Sequence, residues 1–189
     1  MKILGGSAKG RLIRIKKQKL NKNLRPTSNK VRKAIFDILQ ERIIQKDFLD
    51  LFAGTGAVGF EALSRGANSV TMVESNKDLV YFIRDTAKSL NYMDRVKIIH
   101  DDVKRFLKIT EDTYNIIFVD QPYEDDDYDI IKQMVFDRGI LHDDGIIIFE
   151  HSSRKQIDGG YKNLRFMKSY KYGDSSLSLF NKQFEDMIR

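Results

Sequence analysis

The chain has 189 residues, 41% of them hydrophobic and none of them cysteine, and a net charge of +6. That length suits one domain with its own core, and the missing cysteines exclude disulfide stapling and thiolate zinc sites. The start, Met1-Lys2-Ile3-Leu4-Gly5, has no signal-peptide apolar core, and no apolar run approaches a membrane span, so a cytoplasmic location with no membrane partner is expected.

The charge is unevenly spread. Residues 1–46 hold fourteen Lys and Arg against two acids, a balance of +12, whereas residues 47–189 balance to −6. Clustered bases neutralise phosphates, so this quarter of the chain reads as a nucleic-acid-facing surface. Within it, residues 3–15 place Leu12, Ile13 and Ile15 after Gly5, Gly6 and Gly10, the pattern of a short hairpin or arm. Residues 16–26 are basic and turn-like. Residues 1–26 are therefore read as a basic arm, and residues 27–189 as the main body of a single-domain, monomeric protein. Lys9, Arg11, Arg14, Arg25, Thr27 and Arg32 are the expected phosphate contacts. Thr27 or Ser28 caps a helix whose apolar stripe is Val31, Ile35, Ile38, Leu39 and Ile43. Arg32 and Lys33 fall off that stripe, which predicts that both are solvated.

From residue 47 strand and helix alternate. Strands are predicted at 48–52, 69–74, 96–100, 115–120 and 145–150, with helices at 58–65, 78–90, 103–109 and 128–136. The tail breaks the alternation, because 164–172 and 175–182 are strand-like runs joined only by a turn at Gly173-Asp174. The expected fold is α/β and Rossmann-like, with a mostly parallel sheet, helices on both faces and an antiparallel strand last.

The first strand ends in Asp50-Leu51-Phe52-Ala53-Gly54-Thr55-Gly56-Ala57-Val58-Gly59, a strand, a tight glycine turn and a helix start. Gly54, Gly56 and Gly59 satisfy the dinucleotide pattern, which would suit an NAD(P) oxidoreductase. Asp50 argues otherwise, since a carboxylate at the strand end repels a pyrophosphate and attracts a cationic group such as the methionyl moiety of S-adenosylmethionine. Phe52, Ala53, Gly54, Thr55 and Gly56 would form the cofactor turn. Glu74, closing the second strand with Ser75 beside it, is placed to accept from ribose hydroxyls. Asp102 is placed for an adenine amino group, with Val103 against the ring.

The fourth strand runs out through Asp120-Gln121-Pro122-Tyr123. The lone pair of a base's exocyclic amine is delocalised into the ring. It must be turned toward a methyl donor by acceptors for both its hydrogens, while a stacked ring fixes the plane of the base. The Asp120 carboxylate, the Gln121 carbonyl and the Tyr123 ring supply these elements, and Pro122 shapes the loop. His100, His142 and His151 lack metal-ligand spacing, and no metal is expected.

These segments together resemble the bacterial 16S rRNA guanine-N2 methyltransferases of the RsmD type, a family of class I S-adenosylmethionine-dependent enzymes. The resemblance spans nearly the whole chain: Gly5-Gly6, Gly10-Arg11, Arg25-Pro26-Thr27 with Val31-Arg32 and Ile35-Phe36, Asp50 to Gly59, Glu61-Ala62-Leu63-Ser64-Arg65-Gly66, and Tyr172-Gly173-Asp174-Ser175. It implies methyl transfer to the N2 amine of a guanine, with 16S rRNA or a small-subunit assembly particle as partner. The family carries a second proline where this chain has Gln121, which relaxes the loop but keeps the backbone carbonyl. Other readings are methyl transfer to a DNA adenine or a protein glutamine amide, or a non-catalytic RNA-binding module.

Overall fold

The structure is a computed structural model that describes residues 2–13, 27–122 and 127–182. Its residues cluster into two compact units, Met1–Val103 and Lys104–Arg189.

In the first unit, Ser28 Oγ accepts from Val31 N at 3.2 Å and starts α1 (Asn29–Leu39) as the capping residue expected from the sequence. The stripe Val31, Ile35 and Leu39 is buried. Beyond Leu39 a 3₁₀ turn, Gln40–Ile43, buries Ile43, so the helical spacing of the sequence is met by two elements rather than one. Strands β1 (Asp47–Leu51), β2 (Ser69–Glu74) and β3 (Val96–His100) lie in the order β3-β2-β1, all parallel. Helices α2 (Ala57–Ser64) and α3 (Lys77–Leu90) run against them. The near-continuous burial of β1 and β2 explains their runs of apolar residues, each contributing about 1.5–3 kcal/mol when fully buried. Asn76 caps α3 by accepting from the amides of Asp78 and Leu79.

In the second unit, α4 (Val103–Ile109) begins at the unit boundary and is followed by β4 (Tyr114–Val119), α5 (Tyr128–Asp137), β5 (Leu141–Ser152), β6 (Leu164–Tyr172) and β7 (Ser175–Lys182). The strand order is β4-β5-β7-β6, with β4 and β5 parallel and β7 antiparallel to both β5 and β6. The two-residue turn Gly173-Asp174 closes the β6–β7 hairpin, with Gly173 at φ +68°. Tyr128 meets Phe149 edge-on at 5.8 Å, and Phe149 meets Phe180 at 5.7 Å, which fixes α5 against the sheet. The fold is the expected Rossmann-like α/β arrangement with the antiparallel strands last. The fifth strand is longer than predicted because Leu141 pairs with Tyr114 before a register shift. None of the helices among the described residues is long and apolar enough to cross a membrane.

Arg32 departs from expectation. It is fully buried, its Nε 3.6 Å from Glu61, and it donates to Lys2 O and to Asn29 Oδ1. The periodicity of α1 alone places Arg32 on the outer face. Residues 2–13 and α2 cover that face. The buried guanidinium is answered by the Glu61 carboxylate, the Lys2 carbonyl and the Asn29 side-chain oxygen, while its Nε and Nη1 make no hydrogen bond among the described residues. Lys33 is solvated as expected, in an exposed pair with Asp37.

Candidate functional site

The amino-terminal segment is docked onto α2. Ile3 N donates to Arg11 O and Gly10 N to Ile3 O across a narrow hairpin, and Lys2 bridges to Leu12. Ser7 N donates to Ser64 O, Ala8 N to Ser64 Oγ and Leu4 N to Glu61 Oε2. Gly6, at φ +74°, lies so close that a Cβ there would fall 1.8 Å from Ser64 O, which excludes a side chain. Glu61 and Ser64 of the Glu61–Gly66 segment therefore anchor the hairpin.

Of the expected phosphate contacts, Lys9 is exposed and Thr27 is half-buried. Arg11 is exposed and donates to the carbonyls of Ser89 and Leu90 at the end of α3, where a cation is favoured by the helix dipole. Arg32 is withdrawn into the core, a correction to its assignment as a solvated contact. Arg14 and Arg25 lie outside the described residues.

The glycine turn follows β1. Phe52 takes φ +62°, rare for a side chain that size, and Gly54 and Gly56 take φ +57° and +71°. This reversal brings Gly56 N to Ala53 O at 2.7 Å and ties Ala53 N to Val73 O of β2 at 2.9 Å. Ala53 and Thr55 are buried, whereas Phe52 and Gly54 are half-exposed. Asp50 is 1% exposed and its Oδ2 accepts from Gly59 N at 3.0 Å, so its charge faces the first turn of α2 and holds the loop in shape.

Glu74 ends β2 as predicted. Its Oε2 accepts from Gly54 N and its Oε1 from Asn76 N, both at 2.8 Å. Burial pushes its pKa up, against backbone amides of Asn76, Gly54 and Ser75 and the nearby His100, which pull it down. A carboxylate offers about four lone-pair sites, so Glu74 can clamp the turn and still accept from a ligand hydroxyl. Ser75 is exposed, with its carbonyl 3.0 Å from His100 Nε2. Asp102 is exposed beyond β3, its amide donating to Asp101 Oδ1 at 2.7 Å, and Val103 is buried. The ends of β1 and β2, the loops that follow β1, β2 and β3, and the start of α4 thus place the expected cofactor residues of this unit at the carboxyl ends of parallel strands, where open α/β sheets bind ligands. The Asp50 carboxylate is turned toward α2 rather than outward. The positive-φ turn, the buried acid behind it and the two-oxygen acceptor at Glu74 fit an adenosyl cofactor.

In the second unit, Asp120 follows β4 directly and is half-buried, and Pro122 is exposed. Gln121 is 1% exposed: its side chain is enclosed, where only a backbone carbonyl was expected to matter. Tyr123 lies outside the described residues.

Glu150 is a residue that the sequence reading passed over. It sits near the carboxyl end of β5, 4% exposed, and its Oε1 accepts from Ser175 Oγ at 3.1 Å. Burial and the neighbouring Asp120 push its pKa up to about 8, against the Ser175 hydrogen bond. The available signal was an acid closing the apolar run Ile146–Phe149 at a strand end, in the way Asp120 closes β4.

The profile of the family described as conserved hypothetical protein 95 matches residues 1–181. Among individual relatives, the chain is 30% identical to the ribosomal RNA small subunit methyltransferase D of Escherichia coli over 150 residues, 79% of this chain and 74% of that one. It is 27% identical to YlbH of Bacillus subtilis over 186 residues, 97% of this chain and all of that one. The solved structure of yhhF from Escherichia coli superposes with a TM-score of 0.85 at 26% identity, covering 97% of this chain and 98% of the other.

Proposed function

This chain belongs to the conserved hypothetical protein 95 family, the RsmD-type S-adenosylmethionine-dependent methyltransferases, and from that premise we propose that it methylates the N2 amine of a guanine in 16S rRNA. S-adenosylmethionine, when bound, supplies a methyl group made electrophilic by its sulfonium centre. Phe52 to Gly56 shape the turn that would receive it, Glu74 would take its ribose hydroxyls, and Asp102 and Val103 its adenine. Asp120 and the Gln121 carbonyl would accept the two hydrogens of the acceptor amine and direct its lone pair, and Tyr123 would stack on the base. The proton shed by the amine after transfer passes to the Asp120 carboxylate. Lys9, Arg11 and Thr27 would meet the RNA backbone together with Arg14 and Arg25, the substrate being free rRNA or an assembling small subunit. A cytoplasmic monomer is the form proposed.

The observation that carries this reading is the half-buried Asp120 at the exit of β4, followed at once by an enclosed Gln121 and an exposed Pro122. The rRNA relatives and the basic amino-terminal quarter favour RNA over a glutamine amide. The test is mass mapping of 16S rRNA from cells lacking the gene, complemented with wild type or Asp120→Ala. Loss of one N2-methylguanine, restored by wild type and not by the variant, supports the reading; unchanged rRNA overturns it. In vitro, Asp120→Ala is expected to lower kcat by about 10²–10⁴ while leaving S-adenosylmethionine affinity within about twofold.

A further inference from the structure

Strands β4 and β5 run parallel with Val119 opposite Phe149, so Asp120 and Glu150 come next in step, and residues in step across a parallel pair share a face of the sheet. Glu150 is enclosed there. One of its oxygens takes a hydrogen bond from Ser175, and the other, Oε2, is buried with no hydrogen-bond partner among the described residues. The remaining neighbours in step with it bring no cation: Leu177 on β7 and, beyond that, Tyr170 on β6. His151, next along β5, turns to the opposite face with its ring on Ser178. Among the described residues, Asp120 is the charge that acts on Glu150.

A carboxylate oxygen buried without a donor is costly, and two adjacent carboxylates, one enclosed and one half-buried, resist ionising together. We propose that Glu150 is a positioning residue of the acceptor end: it and Asp120 hold one proton between them, and the neutral carboxyl fixes the orientation of the ionised one toward the acceptor amine. This rests on the reading of Asp120 as the group that receives the amine hydrogens. The proton belongs on Glu150, the more deeply buried of the two and the one whose affinity for it is raised. As the neutral acid, Glu150 turns its stranded Oε2 into a donor on the face it shares with Asp120, so Asp120 keeps the charge it needs to accept from an amine. Above about pH 8 Glu150 ionises, the two carboxylates repel, and the orientation of Asp120 is lost.

The test uses the full chain, with kcat and KM followed across pH and the Glu150 carboxyl titrated by carbon-13 NMR. Wild-type kcat is expected to fall above about pH 8. Glu150→Gln, neutral and able to donate at every pH, is expected to keep kcat at neutral pH within about threefold and to lose that fall, whereas Glu150→Ala is expected to lose more than about tenfold in kcat with the KM for S-adenosylmethionine unchanged. Should the alanine variant fail to fold, the glutamine variant and the titration decide. The Glu150 titration is expected near 8 in wild type and lower in Asp120→Asn. A Glu150 carboxyl that titrates in the usual carboxylate range, or that ignores Asp120→Asn, overturns the shared proton. A wild-type pH limb retained in Glu150→Gln overturns the positioning role. Full activity in Asp120→Asn overturns the reading of Asp120 underneath, and the proposal with it.

Discussion

Glu61 in the first unit and Glu150 in the second are both buried carboxyls, and their surroundings could hardly differ more. Glu61 is 0% exposed and accepts from Leu4 N at 2.8 Å and from Arg65 Nε at 2.9 Å, with Arg32 Nε at 3.6 Å. Every charge near it is opposite in sign, and its partners come from the docked hairpin, α1 and α2. Glu150 has one hydroxyl donor, an oxygen with none among the described residues, and a carboxylate for its charged neighbour. A carboxyl surrounded by donors and cations is there to hold structure. One set beside its own kind is held at a cost to stability, and such sites are where proton chemistry is found.

The sharpest way to break this comparison is to neutralise each carboxyl in turn. Glu61→Gln leaves the buried Arg32 without its counter-charge and loosens the hairpin, and is expected to cost about 3–5 kcal/mol in urea unfolding. A loss below about 0.5 kcal/mol would show that Glu61 is not the anchor. Glu150→Gln is expected to act in the opposite direction. The folded pKa of Glu150, about 8, lies above its unfolded value near 4.5, so the folded state binds the extra proton between those limits. Wild-type stability from this group is therefore complete below about pH 4.5 and lost as pH rises through about 8. The glutamine variant has no such slope and should gain on wild type across that window by up to about 5 kcal/mol, at about 1.4 kcal/mol per pKa unit, read from unfolding curves at acid and alkaline pH. The smallest effect is reserved for a control charge. Lys33→Ala removes an exposed helix pair with Asp37 and is expected to change stability by about 0.5 kcal/mol or less. A larger loss would mean that surface charge, and not burial, separates these sites.

A comparable division runs through what could be read before folding. The glycine turn and its neighbours were legible because their signals are local. Asp50 to Gly59 contains the strand end, the reversal and the helix start within ten residues, and the structure gives Gly54 and Gly56 the positive φ angles that such a reversal needs. Glu74 was legible as an acid closing a strand, although the structure adds that both its oxygens already hold backbone amides. Ser28 was legible as a cap because capping acts over three residues. The enclosed Gln121 was not, since a substitution in a loop says nothing of which neighbours close over the side chain.

The sequence by itself determined the order of strands and helices, the glycine turn and the acids at strand ends, because period, propensity and turn chemistry act between residues a few positions apart. Tertiary structure alone decided the fate of charge. Helical spacing put Arg32 in solvent, and only the docking of residues 2–13 and α2 over that face turned it into half of a buried ion pair. Likewise Asp120 was legible as a candidate for chemistry and Glu150 was passed over, and it is the parallel pairing of β4 with β5 that sets them side by side. The energy of a charge depends on what lies within a few ångströms of it and on how much water is left there, and neither is a property of its neighbours along the chain.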